Sequence, residues 1–331
     1  MIETRIAQPG DTALEEATSL LRDGQTVAFP TETVYGLGAN ACDDEACKRI
    51  YQAKGRPGFN PLIVHFASAE QAEKEVVFSS PARKLARAFW PGPMTLVLQK
   101  RQDCRLSDIC SPGLETQAVR VPAHPLAQRL LKSCALPLAA PSANASGKIS
   151  PTKAEHVFAS LNGRIPLILD GGACQDGLES TVIDLSDETT PVILRPGTLP
   201  AEEIEAVLGM PVGKSASLME QKAEQDATGM ASPGLLKSHY APEKPLRLDA
   251  GEVESYEALL AFGPAPLSGA AATINLSSSG NLEEAASALF NALHELDQVR
   301  GILGIAAMPI PKEGIGLAIN DRLKRAAAPK S

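Results

Sequence analysis

Apolar residues recur along the first 200 positions in two rhythms. The segment TALEEATSLLRD (12–23) has the period of an amphipathic helix, with capping-box spacing between Thr12 and Glu15 and Gly24 beyond its end. DDEACKRIYQAKG (43–55) repeats that period, with acids in its first turn and Gly55 after its last. SPARKLARAFW (80–90) predicts a helix capped by Ser80 with Pro81 at its first position, and HPLAQRLLKS (124–133) predicts another. Between them, TVAF, LIVHF, MTLVLQ, AVRVP and PLAAPSAN read as strands. PLILDGG, STVIDLS and PVILR follow as further strands, closely spaced and short of helices, which predicts a mixed sheet over a purely parallel one.

After RPGTLPAEEIEAVLG the pattern fades, and residues 211–238 are polar and weakly periodic, as a linker is. A second pattern begins near residue 245. ALLAFG, AATINLS and GILGIAAMP read as strands, alternating with the helical LEEAASALFNALHELD and GIGLAINDRLKRAA, so a small α/β unit with a parallel sheet is expected.

Composition narrows the function classes. The 331 residues suffice for two domains, and 44% hydrophobic with 21% charged content is ordinary for a globular protein. Aromatics make up 4%, with Trp90 the sole tryptophan, too few for a stacking platform on single-stranded nucleic acid. The net charge of −8 divides unevenly: residues 1–200 carry 20 Lys and Arg against 22 Asp and Glu, residues 201–331 carry 11 against 17. A dedicated nucleic-acid binder would be basic overall, though a local basic groove fits within the first part. Six cysteines in neither C-x-x-C nor zinc-type spacing read as reduced, buried thiols of a cytoplasmic protein. The start MIETRIAQPGDT carries no apolar leader, and no later stretch reaches membrane-spanning length, so no membrane role is expected.

Several stretches place cations and hydroxyls where strands or helices end, the usual place for α/β sites. FPTETVYGLGAN (29–40) looks like a strand running into a loop of hydroxyls and glycines, with no lysine until Lys48. Lys54 and Arg56 flank Gly55; they are either helix-end charges or a cation pair for a polyphosphate. Arg120 between two valines either faces solvent or meets a carboxylate. PSANASGK (141–148) is either a plain polar loop or an array of neutral partners for a nucleotide, and His65 is either a core histidine or a site residue. No G-x-x-x-x-G-K-[ST] and no G-x-G-x-x-G occurs, so any ATP is held without a P-loop.

Taken in order, FPTETVYGLGANA, KGRPGFNPLIVHF, WPGPMTLVL, VRVP, APSANASGKISPT, ESTVIDL and ILRPG resemble the motifs of the YrdC/Sua5 family over roughly residues 10–200. ASPGLLKSHYAPEKPL (231–246) resembles the linker of the long Sua5 form, except that Leu235 stands where a methionine is usual and Ser238 where an arginine is common. The resemblance implies an α/β fold: a twisted mixed-sheet catalytic domain around a deep positive cavity (1–200), a linker and lid (201–244), and a smaller Rossmann-like C-terminal domain (245–331). It implies an L-threonylcarbamoyladenylate synthase, a nucleotidyltransferase joining L-threonine, bicarbonate or CO2 and ATP into threonylcarbamoyl-AMP and pyrophosphate. The product would serve N6-threonylcarbamoylation of ANN-decoding tRNAs through a downstream transferase machinery, with at most weak tRNA contact.

By the same resemblance Thr33, His65, Arg120, Ala140 and Ser180 bind L-threonine. Arg56, Asn60, Thr116, Ser142, Asn144, Ser150, Arg195 and Tyr240 bind ATP, and Lys54 with Arg56 is catalytic. Mg2+ would arrive with ATP. The segment Ser232-Pro233-Gly234 together with Tyr240 would close over the site. Two other readings stand beside this one. A nucleic-acid module would bind tRNA without releasing pyrophosphate. A hydrogenase-maturation carbamoyltransferase would carry zinc-type cysteine spacings and an acylphosphatase-like segment, neither of which is present.

Overall fold

In this computed structural model, residues 2–187, 189–214 and 239–329 are described. The lid segment 232–234, with Leu235 and Ser238, lies outside the described residues. The strands of the first sheet are β1 (Arg5–Ala7), β2 (Val27–Phe29), β3 (Gly36–Asn40), β4 (Val64–His65), β5 (Met94–Gln99), β6 (Thr116–Arg120), β7 (Leu138–Ala139), β8 (Leu167–Leu169), β9 (Thr181–Asp184), β10 (Val192–Arg195) and β11 (Gly213–Lys214). They run in the order β1-β8-β2-β3-β7-β4-β6-β5-β9-β10-β11. Pairs such as β4/β6 and β5/β9 are parallel, whereas β2/β3, β5/β6 and β9/β10 are antiparallel, so the sheet is mixed. A second sheet of β12 (Leu246–Arg247), β13 (Glu257–Ala261), β14 (Ala272–Asn275) and β15 (Gly304–Ala307) is parallel throughout, in the order β12-β15-β13-β14.

The helices are α1 (Asp11–Arg22), α2 (Asp44–Lys54), α3 (Ala69–Ala72), α4 (Ser80–Phe89), α5 (Pro125–Cys134), α6 (Ala154–Leu161), α7 (Ala201–Leu208), α8 (Leu282–Gln298) and α9 (Gly316–Ala326). None of the described helices is long and apolar enough to cross a membrane. Helix α2 starts where the Asp43 carboxylate accepts from the amides of Glu45 and Ala46. It stops at Gly55, whose φ of 59° is in the left-handed region.

Local expectations are corrected at several points. Helix α1 starts after Gly10 with no side-chain cap, so Thr12 already lies inside it and no capping box forms. The cap of α4 is Ser79, which accepts from Ala82 N; of two adjacent serines, the earlier one holds the extended backbone a cap needs. PTETVY is the loop and GLGAN the strand, the reverse of the order expected. LIVHF contributes only two residues to the ladder. Helix α6 and strand β12 carried too little pattern to be recognised. Residues 201–214, taken as the start of the linker, form α7 and β11, with Ile204 and Leu208 in the main core and β11 paired to β10. All six cysteines are free thiols, but Cys42 is exposed and Cys104 only half-buried.

Two faces of the central strands are used differently. Val64, Leu96, Val119 and Ile183 point into the main core beneath α2 and α4. The alternate positions Ile63, Val97, Ala118 and Val182 form a small separate apolar patch with Leu194. The next positions in that alternation are His65, Arg120 and Ser180. A side-chain period of two therefore carries a cation, an imidazole and a hydroxyl to the rim of this second face.

Candidate active site

That rim opens into a cavity of about 530 Å3. It is lined by Thr33, Arg56, His65, Arg120, Ala140, Ser142, Ser180, Arg195 and Tyr240, and also by Thr31, Glu179 and His239. Arg56, Arg120 and Arg195 thus meet in one hollow, each at least nine-tenths buried. Buried guanidiniums need partners, and these have them. Arg120 donates from Nη2 to Glu32 Oε1 at 2.6 Å, from Nη1 to Thr33 Oγ1 at 3.0 Å and from Nε to the Gly92 carbonyl at 3.2 Å. The carboxylate that meets Arg120 is therefore a resident one, Glu32 of the PTET loop, whose other oxygen accepts from Ala123 N. Burial alone would raise the Glu32 carboxyl, but Arg120 holds it below its ordinary value.

The PTET loop is a hydroxyl turn. Thr31 Oγ1 accepts from the amides of Thr33 and Val34, donates to the Val34 carbonyl at 2.7 Å, and lies 2.8 Å from Thr33 Oγ1. Arg195 donates to the Ser180 carbonyl at 2.9 Å and to its hydroxyl at 3.2 Å. Arg56 braces its own turn through the carbonyls of Asn60 and Pro61. Burial depresses Arg56 to about 10 and also lowers Arg195. Both remain cationic at neutral pH. His65, paired in register with Arg120, is held down at about 3 by burial and by Arg120's charge, so its ring is neutral, with Nδ1 unpartnered.

Five expected site residues are not among the cavity's lining. Lys54 is 2% exposed, and its ammonium donates to the carbonyls of Ser142 and Asn144, both at 2.5 Å. It ties the PSAN loop to the end of α2, and burial with Arg56 beside it pushes its pKa well down. Asn144 fastens the same loop through the carbonyls of Ala145 and Lys148. Ser150 donates to Glu179 at 2.6 Å. Thr116 shares the face of Arg120 but begins β6, about 13 Å away at the usual strand rise. Asn60 is fully buried, and neither of its side-chain amide atoms is hydrogen-bonded to another protein group.

Tyr240 closes one wall. It is 1% exposed, holds a φ of 65° that is unusual for a bulky residue, and stacks on Phe290 of α8. Glu32, Thr31, Glu179 and His239 are the lining or supporting residues that sequence reasoning missed. Their one signal was position within PTET, EST and SHY; the partners of Glu32 and Glu179 lie far away in the chain.

The fold and this hollow define a class of protein: an α/β scaffold that gathers three buried guanidiniums around one small cavity, a site for anionic reactants. Two family models cover the chain. Residues 19–197 match the Sua5, YciO and YrdC model, described as "Telomere recombination", and residues 199–328 match the model described as "Threonylcarbamoyl-AMP synthase, C-terminal domain". The chain belongs to the Sua5/YciO/YrdC family. A threonylcarbamoyl-AMP synthase of Bacillus subtilis is 44% identical over 96% of this chain and 93% of its own. One from Pyrococcus abyssi is 43% identical over 94% and 93%. The crystal structure of P. abyssi Sua5 complexed with L-threonine superposes with a TM-score of 0.86 at 40% identity, covering 99% of this chain and 97% of the other.

Proposed function

We propose that this chain joins L-threonine, bicarbonate or CO2 and ATP into threonylcarbamoyl-AMP, releasing pyrophosphate. The observation that carries the reading is the convergence of Arg56, Arg120 and Arg195 on one cavity beside the Thr31/Thr33 turn. Relatives bearing the synthase name over nearly the whole length support it. On this reading Thr33, His65, Arg120, Ala140 and Ser180 hold threonine, and Arg56, Ser142, Arg195 and Tyr240 hold the nucleotide. Asn60, Asn144 and Ser150 act on the nucleotide side from behind that lining, Thr116 from the far end of β6, and Lys54 fixes the loop that carries Ser142. Residues 1–200 with α7 and β11 form the catalytic domain, and residues 245–331 the C-terminal one.

The chemistry follows from charge. The neutral amine of threonine attacks the carbon of CO2: the N–C bond forms as one C=O π bond opens onto oxygen, and the nitrogen releases a proton to solvent, giving a carbamate; bicarbonate reaches the same carbamate with loss of water. A carbamate oxygen then attacks the α-phosphorus of ATP, an O–P bond forms, and pyrophosphate leaves with the electrons of the broken P–O bond. Carboxylate, carbamate and triphosphate repel one another. Guanidiniums already desolvated and braced offset that repulsion with little reorganisation, and positioning contributes alongside. His65, neutral beside Arg120, adds a polar wall without a competing charge.

A protein-held Mg2+ does not fit here. Glu32 is committed to Arg120 and Glu179 to Ser150 and Arg322, and among the described residues no cluster of His, Cys, Asp or Glu could hold a metal. Mg2+ is therefore assigned to ATP as part of the substrate. The product goes to a transferase acting on tRNA in the cytoplasm. The test is pyrophosphate release with ATP and bicarbonate. L-threonine should support it well above L-serine or no amino acid; release indifferent to the amino acid would sink the reading.

A further inference from the structure

Helix α9 of the second unit inserts one side chain into the wall of the cavity. Arg322 is wholly buried, and its Nε donates to Glu179 Oε2 at 2.8 Å. Its Nη1 donates to Asp321, which Arg325 braces in turn, and its guanidinium lies 5.5 Å from the centre of the Tyr240 ring. Glu179 lines the cavity, and its other oxygen takes the Ser150 hydroxyl. The next residue, Ser180, is the one Arg195 holds. Around this pair the two units approach closely elsewhere. His294 Nε2 lies 3.1 Å from the Ser150 carbonyl, and Ser287 donates to the Gln175 carbonyl at 2.7 Å.

We infer that Arg322 is a positioning residue for the reaction: by neutralising Glu179 from the C-terminal side, it keeps Arg195 available to the nucleotide and seats Tyr240 against the cavity. The inference rests on the function proposed above. Its physics is a competition for one carboxylate. Glu179 is bonded to Arg322, and it lines the cavity together with Arg195, whose charge also acts on it. A buried carboxylate deprived of one cation turns to the other. Without Arg322, Glu179 pairs with Arg195 and cancels the charge that faces the nucleotide, and Tyr240 loses the cation beneath its ring. With Arg322 in place, the acid is satisfied from outside the cavity. The acid's own state agrees with this: burial would raise it, but Arg322 and Arg195 together hold it down at about 2, so it is charged at neutral pH.

The test compares Arg322→Met, Arg322→Lys, Glu179→Gln and the double variant Arg322→Met/Glu179→Gln in the full chain, with Ser287→Ala as an interface control. Wild-type pyrophosphate release is measured first; its absence would strike at the proposed function and not at this inference. Arg322→Met should raise KM for ATP about tenfold and lower kcat about tenfold, while KM for L-threonine stays within about twofold. Removing the stranded acid in the double variant should recover most of the ATP effect, and Arg322→Lys should lie between. Ser287→Ala should leave the kinetics unchanged. The same ranking is expected for ATP affinity by calorimetry, which needs no turnover. Thermal melts separate folding from function. A double variant as impaired toward ATP as Arg322→Met, or losses that merely follow the melting temperature across the set, would overturn the inference.

Discussion

Two hollows of similar volume, one of about 530 Å3 beside the first sheet and one of about 490 Å3 beside the second, differ in almost everything else. The first is walled by three buried arginines, each locked by carboxylates, hydroxyls or carbonyls. The second, at the carboxyl ends of β12 and β15, has Lys312 and Lys324 at its edge, both exposed. Its Asn320 amide is already spent on the carbonyls of Ile310, Pro311 and Gly316. Size and position at a strand end are thus shared by a braced site and by an unbraced surface hollow. What separates them is desolvated charge held in fixed geometry, which is costly to build and therefore informative.

The comparison can be broken hardest at Gly197. A Cβ there would fall 2.3 Å from Thr181 N and 2.4 Å from the Ser180 carbonyl carbon, both backbone. Gly197→Ala should cost about 3 kcal/mol or more and abolish turnover. Gly251, near the second hollow, has nothing within 4 Å of such an atom, and Gly251→Ala should be close to neutral. Chemical melts of the two variants decide it; equal stability would mean the first hollow is not rigidly walled. Next comes Arg120→Lys, which keeps the charge but loses the fork joining Glu32, Thr33 and Gly92. Turnover should fall about 100-fold, with KM for L-threonine raised.

A third effect, confined to acid conditions, sharpens the contrast through pH. The Glu179 carboxyl is depressed from its ordinary 4.5 to about 2. Its contribution is therefore fully present above pH 4.5 and is lost as pH falls toward 2, on the order of 3 kcal/mol in all. Glu179→Gln should flatten this acid limb in melts taken between pH 5 and pH 2.5; an unchanged limb would show the acid to be unperturbed. The smallest effect is expected at Lys312→Ala and Lys324→Ala, singly or together. Turnover should stay within about twofold and stability within about 0.5 kcal/mol. A large kinetic change would put chemistry in the second hollow and erase the distinction.

Much of this was legible in the sequence where chemistry is local. The period-two alternation through LIVHF and AVRVP carries His65 and Arg120 to one face, and the adjacent Gly55 and Arg56 end a helix as their residue types require. The parallel second sheet followed from strands alternating with helices, although two-residue β12 had no pattern to reveal it. What stayed hidden are pairings across sequence. Glu32 and Arg120 lie 88 residues apart, Glu179 and Arg322 lie 143 apart, and Lys54 meets carbonyls some 90 positions on. An arginine within apolar residues announces that it needs an anion; nothing local says which carboxylate supplies it. For the same reason the sequence could not tell that Lys54 braces a loop whereas Arg56, two residues later, reaches the hollow.

The bond between Glu179 and Arg322 also bears on ancestry. An identical acid in a relative lacking α9 would be tolerable only if some other cation met it. In long relatives the two positions should be inherited as a unit, changing together or not at all, so that loss or gain of the C-terminal unit leaves its trace as a substitution deep inside the other half.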